Sequence, residues 1–145
     1  MALSRRFNDS FIKEAFAQEV RRVHAVILRM LSYVGELCVN EARSLNTYQD
    51  QTGNLRASVG YLILYNGVVL KSDFGEGVGG STGERVARDV AGQYPSGWVL
   101  IVVAGMAYAA DVESRGLDVL TSAEQLAKQI VPGLIADLRK QLAAR

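Results

Sequence analysis

Gly75-x-Gly77-x-x-Gly80 has the spacing of a dinucleotide-binding fingerprint, in which glycines let a pyrophosphate approach a helix N-terminus. The same stretch also spells G-x-x-x-x-G-Ser81-Thr82, a P-loop outline without the lysine that reaches the β- and γ-phosphates. The fingerprint further needs a βαβ unit and an acidic residue closing the next strand, whereas the next apolar run ends in Val103-Ala104-Gly105. A flexible glycine loop, Gly75–Gly83, is therefore the preferred reading, and a small ligand- or nucleotide-binding protein is the alternative. Other constellations are thin. His24 and Cys38 lie fourteen positions apart, about 21 Å along a continuous helix, too far to form a nucleophile–base pair. Asp111 and Glu113 would leave a helix on different sides, with Asp118 the nearest further carboxylate. These residues predict neither an enzyme, nor a cofactor, nor a metal site.

The elements that would carry these residues follow from periodicity. Asn8, Asp9 and Ser10 are competent N-caps, and Ile12, Phe16, Val20, Val23, Ile27, Met30, Val34 and Leu37 then recur at spacings of three and four. The pattern predicts a helix to about Leu45, roughly 50 Å long at 1.5 Å per residue. A compact domain of this length is only about 30–35 Å across. The helix must therefore project, kink at Gly35, or lie against something outside the chain. Gly53-Asn54 suits a turn before the next strand. Ala57–Tyr65 and Val68–Phe74 flank Asn66-Gly67, the turn pair that tolerates the two positive φ angles of a type I′ hairpin. Val59, Tyr61, Ile63 and Tyr65 share one face, Leu62 and Leu64 the other, so both faces are apolar. One face is expected on the long helix, the other on the C-terminal helix or another subunit.

Ser81-x-x-Glu84 has capping-box spacing and predicts a short helix over about Thr82–Ala91. Trp98–Ala104 reads as a buried, central third strand. Thr121 or Ser122 then caps a last helix striped by Leu126, Ile130, Leu134, Leu138 and Leu142, with a kink or break expected at Pro132. The result is an α+β domain over residues 1–145. It has long N- and C-terminal helices packed on a small, mainly antiparallel sheet of three to four strands, with a glycine loop and a short helix inserted before the last strand.

Sixteen basic and fifteen acidic residues leave a net charge of +1, which advertises neither nucleic acid nor an anionic membrane as partner. One cysteine excludes an intrachain disulfide and fits a reducing cytosol. The uncharged run Val90–Ala110 is interrupted by Gln93, Pro95, Ser96 and glycines, and falls short of the ~20 apolar residues of a membrane span. The N-terminus has no signal-peptide core, so a soluble protein is expected.

Two stretches carry a resemblance. Gln51-Thr52-Gly53-Asn54-Leu55-Arg56-Ala57-Ser58-Val59 resembles the TGNLR-x-S signature of the tail-completion (head–tail joining) proteins of long-tailed bacteriophages. Some fifty residues on, Gly105–Glu113, with Tyr108, Glu113 and then Gly116, is similar to that family's YA-x-x-VE-x-G motif. Where that family often carries a Pro-Phe-Leu-x-Pro-Ala-like segment, this chain has Val119–Ala123, which leaves neck, tail terminator or another minor tail position open. The resemblance implies a structural virion protein, made in the bacterial cytoplasm, that joins tail to head as one subunit of a ring, a hexamer in the simplest case. Its partners would be further copies of itself and other neck, connector, tail-tube or terminator proteins. DNA would pass through without sequence-specific contact. Gly53 and Asn54 would then shape a turn flanked by Leu55 and Ser58, Arg56 would pair with a carboxylate such as Glu113, and Tyr108 would pack near the sheet edge.

Overall fold

A computed structural model describes residues 9–44, 54–105 and 120–143. Helix α1 spans Asp9–Ser44, a one-turn helix α2 Asn54–Ser58, strands β1 and β2 Val59–Tyr65 and Val68–Asp73, helix α3 Gly77–Ala91, strand β3 Trp98–Ala104, and helix α4 Thr121–Ala143. The fold is α+β, with an antiparallel three-stranded sheet among the described residues in the order β2-β1-β3. The third strand is thus an edge strand and not the central one expected. β1 takes the centre because the tight hairpin puts β2 on one side of it, leaving the other side for β3.

The hairpin forms as its turn chemistry dictates. Asn66 and Gly67 have φ of 49° and 80°, both in the left-handed region that Asn and Gly tolerate best. The turn is tied to the start of β3: Asn66 N–H donates to the Gly97 carbonyl at 3.0 Å, and Gly97 N–H donates to Asn66 Oδ1 at 2.7 Å. Between Ile63 and Leu64 the ladder slips, leaving Leu70 as an extra residue on the edge strand.

Every residue of β1 from Val59 to Leu64 is buried. Val59, Tyr61 and Ile63 meet Val34, Cys38, Val39 and Ala42 of α1 and Ala123 of α4. Leu62 and Leu64 meet Ala87 and Ala91 of α3 together with Ile101 and Val103. The second face is therefore covered by α3, where the sequence reading assigned it to the C-terminal helix or another subunit. Both faces of β1 are thus covered by helices of the same chain.

α1 is one helix through Gly35, and its first residues extend beyond the part that packs on the sheet. Its 36 residues correspond to about 54 Å. The buried side runs through Val26, Val34, Cys38, Val39 and Ala42, and Gly35 lets the sheet come close: a Cβ there would lie 2.7 Å from the Tyr61 ring. The first part of the expected stripe is exposed, with Phe11, Ile12 and Phe16 at 62, 55 and 70%. Over an 18-residue window of mean hydropathy 1.2, α1 is also long and apolar enough, by length and composition, to cross a membrane. Of the run Val90–Ala110, considered for that role from sequence, the described residues 90–105 divide between the end of α3, a loop and β3.

Three further expectations are corrected. Asn54–Ser58 is helical where a turn followed by strand from Ala57 was expected. Of the kink or break expected at Pro132, the break does not occur, since α4 runs on through it. Its neighbours hold it in place on both sides, with Ala127, Val131 and Leu134 packed against the core. Gly75–Gly83 is not a free loop either: α3 starts at Gly77, five residues before the expected start, and Gly79, Gly80 and Gly83 are buried. These glycines bury backbone against backbone.

Two glycine-to-alanine changes should therefore have opposite signs. In Gly83→Ala the new methyl meets the Ser58 carbonyl, and overpacking of this kind costs about 1–3 kcal/mol or more. Gly133, inside α4, has open space around its Cβ position, and alanine there should stabilise by about 0.5–1 kcal/mol. Urea unfolding midpoints of the two variants against the parent provide the check.

Candidate functional site

The residues singled out from sequence converge on one junction, as far as they are described. Gly53, Tyr108, Glu113 and Gly116 lie outside the described residues, and so does the proposed Arg56–Glu113 pair. Asn54 and Leu55 begin α2. Arg56 Nε donates to the Arg43 carbonyl at 2.9 Å, satisfying one of the acceptors that the last turn of α1 leaves without an intrahelical partner. Arg43 in turn donates from its guanidinium to the Val59 carbonyl at 2.6 Å. The two arginines lace the end of α1 to α2 and to the first residue of β1.

Ser58 is fully buried. Its carbonyl accepts from Gly105 N–H at 3.2 Å, and the Ala57 carbonyl accepts from Gly75 N–H at 3.0 Å. Onto this pair of backbone bonds α3 lays its first turns. A Cβ on Gly80 would strike the Gly75 carbonyl, one on Gly83 the Ser58 carbonyl, and one on Gly105 the Gly83 backbone. Of the three glycines with fingerprint spacing, Gly75 packs against Ala57 and Gly80 against Gly75, while Gly77 has a φ of 76° and open space at its Cβ position. The packed faces of Gly80 and Gly83 are occupied by the chain's own backbone.

A second cluster was not singled out from sequence. Tyr61, on the α1 face of β1, donates its hydroxyl to Glu36 Oε1 at 2.7 Å. The carboxyl of Glu36 also lies against that of Asp73 at the end of β2, close enough for a hydrogen bond between them. The Tyr61 hydroxyl bond holds Glu36 below the usual carboxylate range, against the opposing effect of burial. Burial first, and then the bond to Glu36, push Asp73 up. Burial, followed by the charge and hydrogen bond of Glu36, pushes Tyr61 above the ordinary phenol value. Lys71 Nζ sits 5.6 Å from the Tyr61 ring centroid. A carboxyl pair with its affinities pushed apart is a pattern found in acid–base sites. Here the Tyr61 hydroxyl occupies one Glu36 oxygen, and the cluster ties α1 to the hairpin. Glu36 and Asp73 lie 37 positions apart on different elements, so spacing gave no signal for their meeting.

His24 and Cys38 stay apart, as helix geometry requires. His24 lies edge-on to Tyr65 and Trp98, with ring centroids 4.6 and 5.2 Å away. The Cys38 thiol donates to the Ala123 carbonyl at 3.6 Å, and burial pushes its pKa up, away from the thiolate a nucleophile needs. No group of three or more His, Cys, Asp or Glu side chains gathers among the described residues.

A sizeable concavity among the described residues is apolar. Between α1 and α4, floored by β3, runs a groove with two lobes of about 430 and 280 Å³ that share Val34, Leu100 and Val131. The first is closed at one end by Leu120 and Glu124, and the second is lined by apolar residues from Ile27 to Leu138. A separate cavity of about 280 Å³ lies between the hairpin turn and the end of α3. No protein-family model, curated protein or solved structure matches this chain.

The Tyr61 cluster has a measurable signature. Because the folded-state pKa of Tyr61 is raised, its contribution to stability is fully present below the unfolded value of about 10 and is lost as pH rises towards the folded value. Tyr61→Phe should remove that alkaline loss. At pH 7 it should cost about 1–3 kcal/mol through the missing bond to a charged acceptor. Denaturant unfolding of both proteins between pH 7 and 11 reads both effects.

Proposed function

We propose that this chain is a structural subunit of a ring at the head–tail junction or tail end of a long-tailed bacteriophage particle. In this reading it joins tail to head by contacts alone and works without chemistry of its own. The resemblance of residues 51–59 and 105–116 to the tail-completion proteins gives the reading its identity. The observation that carries the assembly part of it is the projecting start of α1, whose exposed Phe11, Ile12 and Phe16 leave an apolar strip on the surface. Contiguous exposed apolar area of that kind marks interaction sites. The near-neutral charge supports it too, since copies of a subunit at +1 repel one another little.

In a ring of this kind the neighbours are other copies, with neck, connector, tail-tube or terminator proteins above and below. DNA passes through without base readout. Arg56 and Ser58 act at the junction of α1, α2 and β1 and keep the subunit in shape for assembly.

Purified protein at tens of micromolar should give one closed oligomer by native mass spectrometry. A reconstruction of the particle should show it in several symmetry-related copies at the neck or tail end. A single asymmetric copy, or its absence from purified particles, overturns the reading.

A further inference from the structure

Two complementary features sit on the same helix. The first is the arm of α1, with Ile12, Phe16 and Val20 at successive steps of four and Phe11 beside them, all exposed. The second is the smaller groove lobe, where Ile27 and Met30 of α1 face Leu134, Ile135 and Leu138 of α4 across about 280 Å³. A cavity of about 150 Å³ already accepts a benzene ring, so the lobe has room for a phenylalanine side chain. The arm cannot fill the lobe of its own chain. Both belong to one unbroken helix, and α1 would have to fold back on itself.

We propose that the arm of α1 docks in the groove between α1 and α4 of the next copy, with Phe16 as its anchor. This rests on the ring reading and names the contact that builds the ring. Apolar side chains at i, i+4 and i+8 entering an apolar groove are the helix-in-groove mode of recognition. The arm offers on the order of 400 Å² of apolar side chain, about half of the ~800 Å² per partner in a stable interface. The groove walls, among them Ile135 at 45% exposure, add to it. Charge does not oppose the contact, because Arg21 pairs with Glu14 and Arg22 with Glu19 along the arm. An arm that leaves one copy and enters the next is a heterologous interface, which closes into a ring when the rotation per step permits.

The test uses the full chain carrying Phe16→Cys and Ile135→Cys, oxidised at the concentration where native mass spectrometry of the parent protein gives its oligomer. Head-to-tail docking should give a disulfide ladder up to the full ring, and neither cysteine alone should give more than traces. Phe16→Asp and Ile135→Asp should each lower the association constant at least tenfold, with far-ultraviolet circular dichroism and melting temperature unchanged, since both positions are exposed. Cross-linked dimers without higher rungs would show a reciprocal two-fold exchange and overturn the proposal. An intact ring without the cross-link would overturn it and leave the ring reading standing, whereas a protein that stays monomeric in the native-mass experiment overturns both. Binding of the parent to phosphatidylcholine vesicles, lost in Phe16→Asp, would make the arm a membrane-facing element and overturn it as well.

Discussion

The structure hangs on a place where backbone touches backbone. Gly80 and Gly83 let α3 descend onto the Gly75 and Ser58 carbonyls, and Gly105 lets the exit of β3 pass beside Gly83. A methyl group at Gly83 or Gly105 would drive α3 off the sheet, and with it Ala87 and Ala91, which cover Leu62 and Leu64. The same few residues hold the start of β1, through the Ala57 and Ser58 carbonyls, and the end of α1, through Arg56. Four elements thus share one anchorage. Side chains contribute little to it, and most of its specificity comes from the absence of Cβ atoms.

On the opposite face the chain uses different chemistry for the same purpose. Gly35 admits the Tyr61 ring, and the ring's hydroxyl reaches Glu36, which is bound to Asp73. Burying these groups is tolerable because each polar atom meets another, and the network fixes the rotation of α1 against the hairpin where apolar contact alone would allow slippage. With α1 held at Tyr61 and at Arg43, its beginning is carried outward as a stiff lever. Its direction is set by contacts made far from its tip.

Local rules were legible wherever one element decided its own form. Asn66-Gly67 specified the hairpin, the three-and-four spacing from Ile12 specified α1, and the excess of its length over the body's width foretold a projection. What escaped was tertiary. Glycine at 75, 77, 79, 80 and 83 has poor helix propensity, so the start of α3 was placed at the capping box of Ser81, whereas packing against Ser58 outweighs the propensity cost. The run Trp98–Ala104 looked central because it is apolar on both faces. Helices cover both of those faces, and neither apolar face says which edge is paired. The Glu36–Asp73 pair follows from the register of β2 against β1, which no spacing in the chain announces. Arg56 and Ser58, close together in one short stretch, stand at the junction of α1, α2 and β1, where Arg56 bonds the Arg43 carbonyl, a backbone partner that no side-chain spacing announces.

The attachment of α4 differs in kind from that of the other elements. Among the described residues Ala123 is its one buried side chain, and Pro132 withholds the N–H that would bond the Lys128 carbonyl. Its release would disturb neither the β-ladder nor the contacts of Gly80 and Gly83. An opening confined to α4 would therefore widen the apolar groove, of which it is one wall, and leave the sheet with α1 and α3 in place.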